Sequence, residues 1–360
     1  MQTQSKFRLL VVRLGAMGDI LHALPAVTAL RQAHPAWVID WVVEPRWQAL
    51  LAAEDSLGRV TSQPVVSRLI FAPTKDWRKA PISEKTLHEI KLLRRTLRAG
   101  EYDAVLDLQG AIRSAVVGKL AGCRRLIGEA EPRERAARWL FNEHVATQGA
   151  HVIEQGVELA SAVAGDDLKP ERPWLPVDAA AESWADGILP PDPSLPSVLI
   201  IPGAGWGAKR WPVERYAAAA QGLVERGFRV LVNTGPGENP LAAAIIQGGV
   251  GAQGTGGAVT PLSCSLGQLI AVTRRISLCI AGDTGPLHLA CALGRPVLGI
   301  YGPTDPSRNG PFGTRFKVLR SPESRRDHTR HASPEAGLLT IQPEDVLRAA
   351  AELLAVESLP

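Results

Sequence analysis

The sequence holds four cysteines in 360 residues, Cys123, Cys264, Cys279 and Cys291, and none of them forms a Cys-x-x-Cys pair. No zinc spacing follows from them, and three sit among apolar or small residues, where a thiol reads as core filler. No apolar run reaches membrane-spanning length, and no signal peptide precedes the first strand, so a soluble, cytoplasmic protein is expected, with peripheral membrane contact left open. Gly-Lys-Ser/Thr is missing from the glycine-rich turns, which excludes a phosphate-loop NTPase, and Gly-x-Gly-x-x-Gly is missing after the first strand, which argues against a dinucleotide fold. The chain has no Asp-x-Asp, so no carboxylate cluster for a metal–diphosphate is evident and no metal site is assigned. Tandem repeats at solenoid periods are absent. Aromatic residues, 5% overall, are too sparse in the basic part of the chain to form base-stacking platforms, and nucleic acid is not expected as a partner.

What is present is ample apolar material, 45% of residues, in a chain long enough for two α/β domains. The net charge of +4 is unevenly spread. Between Arg68 and Arg138 there are 16 Lys/Arg against 9 Asp/Glu, whereas the remainder has 24 against 27. One part of the chain therefore suits an acidic partner: a phosphate, a carboxylate or an anionic membrane surface.

Apolar runs of strand length alternate with helical patterns, as a parallel, doubly wound sheet requires. Strands are expected at Phe7–Leu14, Trp37–Val43, Arg68–Phe71, Asp103–Leu108 and Arg124–Ile127, and helices at Asp19–Ala33 and Ser83–Ala99. Lys91, Arg94, Arg95 and Arg98 recur along one side of the second helix and read as a solvated face. Seven prolines between Gly165 and Ser197 mark a connector, within which Ala179–Gly187 can form a short helix. The alternation restarts with strands at Val198–Ile201, Phe228–Val232, Ile276–Ala281 and Val297–Tyr301, and helices at Pro212–Arg226, Leu266–Thr273 and Pro343–Ala355. This gives an N-terminal domain over 1–170, a linker over 171–197, a second domain over 198–342 and a C-terminal helix over 343–360.

Glycine-rich or polar turns follow the strands ending at Leu14, Ile201, Val232 and Ala281, and such turns offer backbone N–H groups and a helix amino end to an anion. Gly15 and Gly18 permit close backbone approach to a bound molecule. Asp19 serves either as an ordinary helix-capping acid or as a ligand-facing carboxylate. Gln109 and Arg113 follow a parallel strand at its carboxyl end, where such folds bind ligands. Lys209 adds a full positive charge to the turn after Ile201. Glu238 is placed either to accept from ribose hydroxyls or to complement a helix dipole. Asp283, in Gly-Asp-Thr-Gly, favours a ligand contact, and His288 reads on its own as a buried, satisfied histidine. His328 and His331 share a polar loop with no further metal ligand near them in sequence. Asp40, near where a ribose-binding acid would fall in a dehydrogenase, reads as a strand residue.

Arg-Leu-Gly-Ala-Met-Gly-Asp-Ile-Leu-His-Ala-Leu-Pro-Ala at 13–26 resembles the opening of the ADP-heptose:lipopolysaccharide heptosyltransferases, glycosyltransferase family 9. Lys209-Arg210-Trp211-Pro212, Gly282-Asp283-Thr284-Gly285-Pro286-Leu287-His288 and Gly302-Pro303-Thr304-Asp305-Pro306 resemble its later signatures, in the same order. Trp77-Arg78-Lys79-Ala80, Tyr102-Asp103-Ala104-Val105 and Gln109-Gly110 are similar to the heptosyltransferase I branch, which adds the first heptose to Kdo of the inner core. The resemblance implies a GT-B fold, with two Rossmann-like domains facing a central cleft. It also implies ADP-L-glycero-β-D-manno-heptose as donor, inversion at the anomeric carbon, and neither a cofactor nor a required metal. The family's base falls on Asp19, its diphosphate-binding lysine on Lys209, its ribose-binding glutamate on Glu238 and its donor-sugar aspartate on Asp283. Thr284, Gly285 and His288 fall beside the donor. Gly15, Gly18, Arg78, Lys79, Gln109 and Arg113 are the candidate acceptor contacts, and the acceptor is a Kdo-lipid A type molecule, with contact to the inner membrane. The C-terminal helix is expected to cross back to the first domain.

The chemistry of the residues agrees. Inversion needs one carboxylate to take a proton from the attacking hydroxyl, and a carboxyl group of ordinary acidity, about 3.9, is ionised at pH 7. Two other readings stand beside this one: a related transferase with another acceptor or nucleotide sugar, and a sugar-nucleotide-binding partner without catalysis.

Overall fold

Leu9, Leu10, Val11 and Val12 are entirely buried, as a central strand covered on both faces must be. They form β1 (Arg8–Val12) of the first of two six-stranded parallel sheets. The computed structural model describes residues 6–190, 195–235, 239–248, 259–324 and 331–355. It divides into two units, residues 1–177 and 178–360.

In the first unit α1 (Met17–Ala33) follows β1, then β2 (Val38–Val43), β3 (Arg68–Phe71), α2 (Glu84–Arg98), β4 (Ala104–Asp107), α3 (Ile112–Leu120), β5 (Leu126–Glu129), β6 (Glu143–Val145) and α4 (Val152–Ala164). The strand order is β3-β2-β1-β4-β5-β6, so the winding reverses between β1 and β4, where ligands bind in such sheets. The register sets Val12 beside Asp107 across that reversal. Helix α1 begins two residues before Asp19 because the Asp19 side chain reaches back to the Ala16 N–H at 3.0 Å. Ser83 caps α2 by accepting the Thr86 N–H; Thr86, Leu93 and Leu97 are buried, while Lys91, Arg94, Arg95 and Arg98 face solvent. Two helices of this unit, α3 and α4, were not expected from the sequence, nor was the short strand β6. The α3 stretch is short and holds Gly118, and that glycine is needed for packing: a Cβ there would stand 2.8 Å from Leu126.

The second unit comprises α5 (Ala179–Ile188), β7 (Ser197–Ile201), α6 (Val213–Glu225), β8 (Arg229–Asn233), α7 (Asn239–Gly248), β9 (Val259–Leu262), α8 (Leu266–Thr273), β10 (Leu278–Gly282), α9 (Gly285–Ala292), β11 (Val297–Tyr301), β12 (Phe316–Arg320) and α10 (Pro343–Ala355). Its order, β9-β8-β7-β10-β11-β12, repeats the first sheet, with the reversal between β7 and β10. The division between Val177 and Asp178 lies inside the proline-rich stretch. Helix α5 belongs to the second unit, where Glu182 accepts from both Arg274 and Arg275. Helix α10 packs in the second unit: Val346, Ala349, Ala350 and Leu353 join the core formed with α6 and the sheet. Its spacing of apolar residues at i, i+3, i+4 and i+7 makes a single stripe, and the stripe is used up there.

Candidate functional site

In the first unit the residues singled out from the sequence gather where the sheet reverses. Asp19, in the first turn of α1, keeps one carboxylate oxygen, Oδ2, on the Ala16 N–H. The other, Oδ1, lies 3.0 Å from Arg13 Nη2. About a third of the Asp19 side chain remains exposed, against 12% of Arg13. Gln109 is buried and accepts the Leu14 N–H at 2.9 Å, so it ties the loop after β4 to the loop after β1. Gly15 sits at φ +147°, with the Trp47 indole 2.5 Å from where a Cβ would be; both backbone and space demand glycine. Gly18 lies within the first turn of α1.

Asp107, the last residue of β4, was not singled out from the sequence. It is entirely buried, with Oδ1 accepting from the Gln109 and Gly110 N–H groups at 2.7 and 2.8 Å. Its Oδ2 is buried with no hydrogen-bond partner. Burial pushes the carboxyl up to about 6; Ser114, the two N–H groups and the Arg13 charge hold it from going higher. The signal in the sequence was a lone acid closing an otherwise apolar strand, Ala-Val-Leu-Asp.

A second group of charges occupies the loops at the carboxyl ends of β2, β3 and β4. Glu44 is buried and accepts from Thr74 Oγ1 at 2.7 Å and from the Lys75 N–H at 3.2 Å. Arg46 Nε lies 3.5 Å from the same carboxylate. Burial, then the charges of Arg46, Arg113 and Arg78, draw the Lys75 ammonium below its usual value, against the upward pull of Glu44. Arg78 and Arg113 thus share a cationic cluster with Arg46 and Lys75, two residues that sequence reasoning missed. Lys79 is apart from it: its ammonium pairs with Asp76 at 2.8 Å on the surface. Four cations about one carboxylate repel one another, and a ligand with phosphate or carboxylate groups relieves that repulsion.

In the second unit Lys209 and Asp283 make an ion pair, with side chains only 10% and 12% exposed. Lys209 comes from the short turn at Gly207–Lys209 after β7, and Asp283 follows β10, so the pair spans the point of reversal. The Lys209 ammonium also stands 4.1 Å over the Trp206 ring. His288 Nε2, buried in α9, lies 3.4 Å from Asp283 Oδ1. Burial alone would raise the Asp283 carboxyl, but the His288 contact and the Lys209 charge outweigh it and hold the group well below the usual carboxylate range. Thr284 and Gly285 open α9, whose free N–H groups attract anions. Glu238 and His328 lie outside the described residues. Among the described residues no group of three or more His, Cys, Asp or Glu could hold a metal ion. Asp40 is buried and structural, accepting from Arg68 at 2.6 Å and from the Tyr102 hydroxyl at 2.7 Å.

A family model described as Glycosyltransferase family 9 (heptosyltransferase) matches residues 90–338. The lipopolysaccharide heptosyltransferase 1 of Escherichia coli K12 is 32% identical over 326 residues, which cover 88% of this chain and 94% of that protein. Among solved structures, E. coli heptosyltransferase WaaC with ADP matches with a TM-score of 0.78 at 27% identity, over 96% of this chain and 100% of that one. The structure of WaaC with ADP-2-deoxy-2-fluoro heptose matches with a TM-score of 0.75 at 27% identity, over 96% and 99%. With its two parallel sheets, the chain has the GT-B fold of these enzymes.

Asp107 makes stability depend on pH. Its folded value lies above the ordinary 3.8, so its contribution is complete below about pH 4 and is lost as pH rises through about 6. Asp107→Asn cannot ionise and escapes that loss. Its stability relative to the parent should therefore improve by about 1 kcal/mol between pH 5 and pH 8, or roughly 2–4 °C in melting temperature. Melting curves of both proteins across that range test this; a difference that stays constant with pH would show that the group is not titrating there.

Proposed function

The chain belongs to glycosyltransferase family 9, and we propose that it transfers heptose from ADP-L-glycero-β-D-manno-heptose to Kdo of a lipopolysaccharide inner-core acceptor, with inversion at the anomeric carbon. The observation that carries this reading is the placement of Asp19, Lys209 and Asp283, each at the reversal point of its own sheet. The names of the relatives support the donor and the reaction class: a lipopolysaccharide heptosyltransferase 1, and a heptosyltransferase solved with ADP and with a fluorinated ADP-heptose.

In this reading Asp19 takes the proton from the acceptor hydroxyl. That oxygen forms the new bond to the anomeric carbon, and the bond from the anomeric carbon to the diphosphate oxygen breaks. ADP leaves with the electron pair. Lys209 and the N–H groups opening α9 at Thr284 and Gly285 stabilise the charge that collects on the diphosphate. Asp283, kept ionised by His288 and Lys209, accepts hydrogen bonds from the donor sugar, and Glu238 accepts from the ribose. Arg78 and Arg113, joined by Arg46 and Lys75, bind the acceptor's acidic groups. Lys79, Gln109, Gly15 and Gly18 complete the acceptor side as contacts or as backbone that permits close approach. The chemistry calls for no metal.

Because the acceptor is lipid-borne, the protein works as a peripheral partner of the inner membrane on its cytoplasmic side. A surface feature supports this: Trp139 is 87% exposed beside exposed Arg135 and Arg138, and Ile112 and Val116 are exposed on α3, which packs against that turn. A large aromatic among basic residues suits an anionic bilayer interface.

Asp19→Asn should lower turnover by about 10²–10⁴-fold while ADP-heptose still binds, as read by ADP release and by calorimetry. Wild-type turnover would remove Asp19 from the base role. In the same assays Lys209→Ala should weaken ADP binding by roughly tenfold or more, and unchanged affinity would count against the diphosphate assignment. Turnover of the parent enzyme should survive EDTA.

Arg46→Ala and Lys75→Ala should raise the KM for a Kdo-lipid A acceptor, with kcat and the ADP-heptose KM held. The effect should shrink at high salt. An unchanged acceptor KM would detach the cluster from the acceptor.

Sedimentation with phosphatidylglycerol vesicles should capture the protein, phosphatidylcholine vesicles should not, and Trp139→Ala should weaken capture. Equal recovery with both lipids, or no effect of the substitution, would defeat the membrane reading.

A further inference from the structure

Arg13 is the first residue beyond β1, directly after Val12, the register partner of Asp107 across β1 and β4. Its backbone is held on both sides. The Trp41 indole donates to the Arg13 carbonyl at 3.0 Å, and Gln109 accepts the next N–H, that of Leu14, at 2.9 Å. Its guanidinium is equally fixed. Nη2 holds Asp19 Oδ1 at 3.0 Å, and Nη1 donates to the Leu108 carbonyl. The third donor, Nε, is buried with no hydrogen-bond partner. Within its electrostatic reach is the buried Asp107 carboxylate, whose own Oδ2 is likewise without a hydrogen-bond partner. One cation therefore acts on two carboxylates, pairing with the partly exposed Asp19 and exerting its charge on the fully buried Asp107.

We propose that Arg13 is the positioning residue for the base, a single guanidinium that fixes the Asp19 carboxylate and is itself retained by Asp107. The proposal rests on the reading of Asp19 as the base. With Oδ2 on the Ala16 N–H and Oδ1 on Arg13, Asp19 cannot rotate freely. A carboxylate has about four lone-pair sites, so both oxygens keep an acceptor direction for the incoming hydroxyl. When Asp19 takes the proton its negative charge is gone. A buried guanidinium left without a counter-ion is costly, and Arg13 does not release a proton. Asp107 supplies the remaining negative charge, so the cation stays in place through the step.

The test compares Arg13→Met, Arg13→Lys and the double variant Arg13→Met/Asp107→Asn with the parent enzyme. Arg13→Met should lower kcat by about 100-fold, the scale of a misplaced catalytic group, with KM for ADP-heptose unchanged. It should also melt earlier, because it leaves Asp107 without its cation. The double variant should recover the melting temperature but not kcat, which separates positioning from folding. Arg13→Lys should recover part of kcat, since an ammonium can reach one carboxylate but lacks the second arm. Parental kcat in the double variant, or kcat that returns in step with melting temperature, would overturn the proposal. Asp19→Asn distinguishes the two levels. If it turns over normally, the base reading fails and the proposal with it. If it is inactive while the double variant runs at the parental rate, the base stands and only the role of Arg13 falls.

Discussion

In both sheets an ion pair sits where the strand order reverses, and the candidate site residues of each unit are arranged about it. Arg13 and Asp19 form one, Lys209 and Asp283 the other. The reversal leaves a crevice at the carboxyl ends of two adjacent strands whose connections run in opposite directions. Side chains directed there are largely shielded from water, and charges in such a place are tolerated only in company. A buried pair gains little net stability over well-packed apolar residues, yet removing one partner costs several kcal/mol. Both pairs are therefore poor choices for stability alone and good ones for holding a charge at a fixed point.

Much of this was legible in the sequence because the signals are local. The strand-length apolar runs, the proline-rich stretch and the glycine turns lie within short windows, and the two sheets emerged from them with the expected alternation. Lys209, Asp283 and Asp19 stand out in the sequence because each lies just beyond an apolar run. What stayed hidden depends on contacts between distant segments. Asp107 reads as an unremarkable strand end until the register sets it beside Val12 and brings Arg13 within reach. Arg46 and Lys75 are 29 positions apart in the chain, and their association with Arg78 and Arg113 follows only from the order of β2, β3 and β4. The packing partner of the C-terminal helix is hidden for a related reason. Its apolar stripe shows that it must pack, but a stripe does not name its partner, and the second unit's core supplies one in α6 and the sheet.

Polar residues taken from sequence as ligand contacts divide in the structure according to their partners. Gln109 is committed to the Leu14 N–H and Lys79 to Asp76. Gln109 consequently acts on the crevice through backbone geometry, by joining the loops after β1 and β4. Lys79, on the surface and paired with a neighbour three positions back in the chain, gives a pair of little energetic weight. His288 is buried and satisfied as its helical setting suggested, but its partner is Asp283, so the bland reading and the functional one converge on one contact.

The two ion pairs differ in the cation they use, and the difference matches what each must do. Lys209 offers a compact ammonium with rotatable donors. His288 and Lys209 hold the Asp283 carboxyl well below the usual carboxylate range, so it stays charged beside its lysine, and a competing anion can share that lysine; a diphosphate, with charge of its own and the α9 N–H groups to receive it, is such a competitor. Arg13 instead presents a planar fork with fixed donor directions. It holds Asp19 and the Leu108 carbonyl at once, and an arrangement with two anchors resists displacement by a single ligand group. A cation that must be lent to a substrate is served by lysine, and one that must keep a carboxylate still is served by arginine. In the proposed function one unit binds the nucleotide and the other carries the base, and the cation present in each has the geometry that role requires.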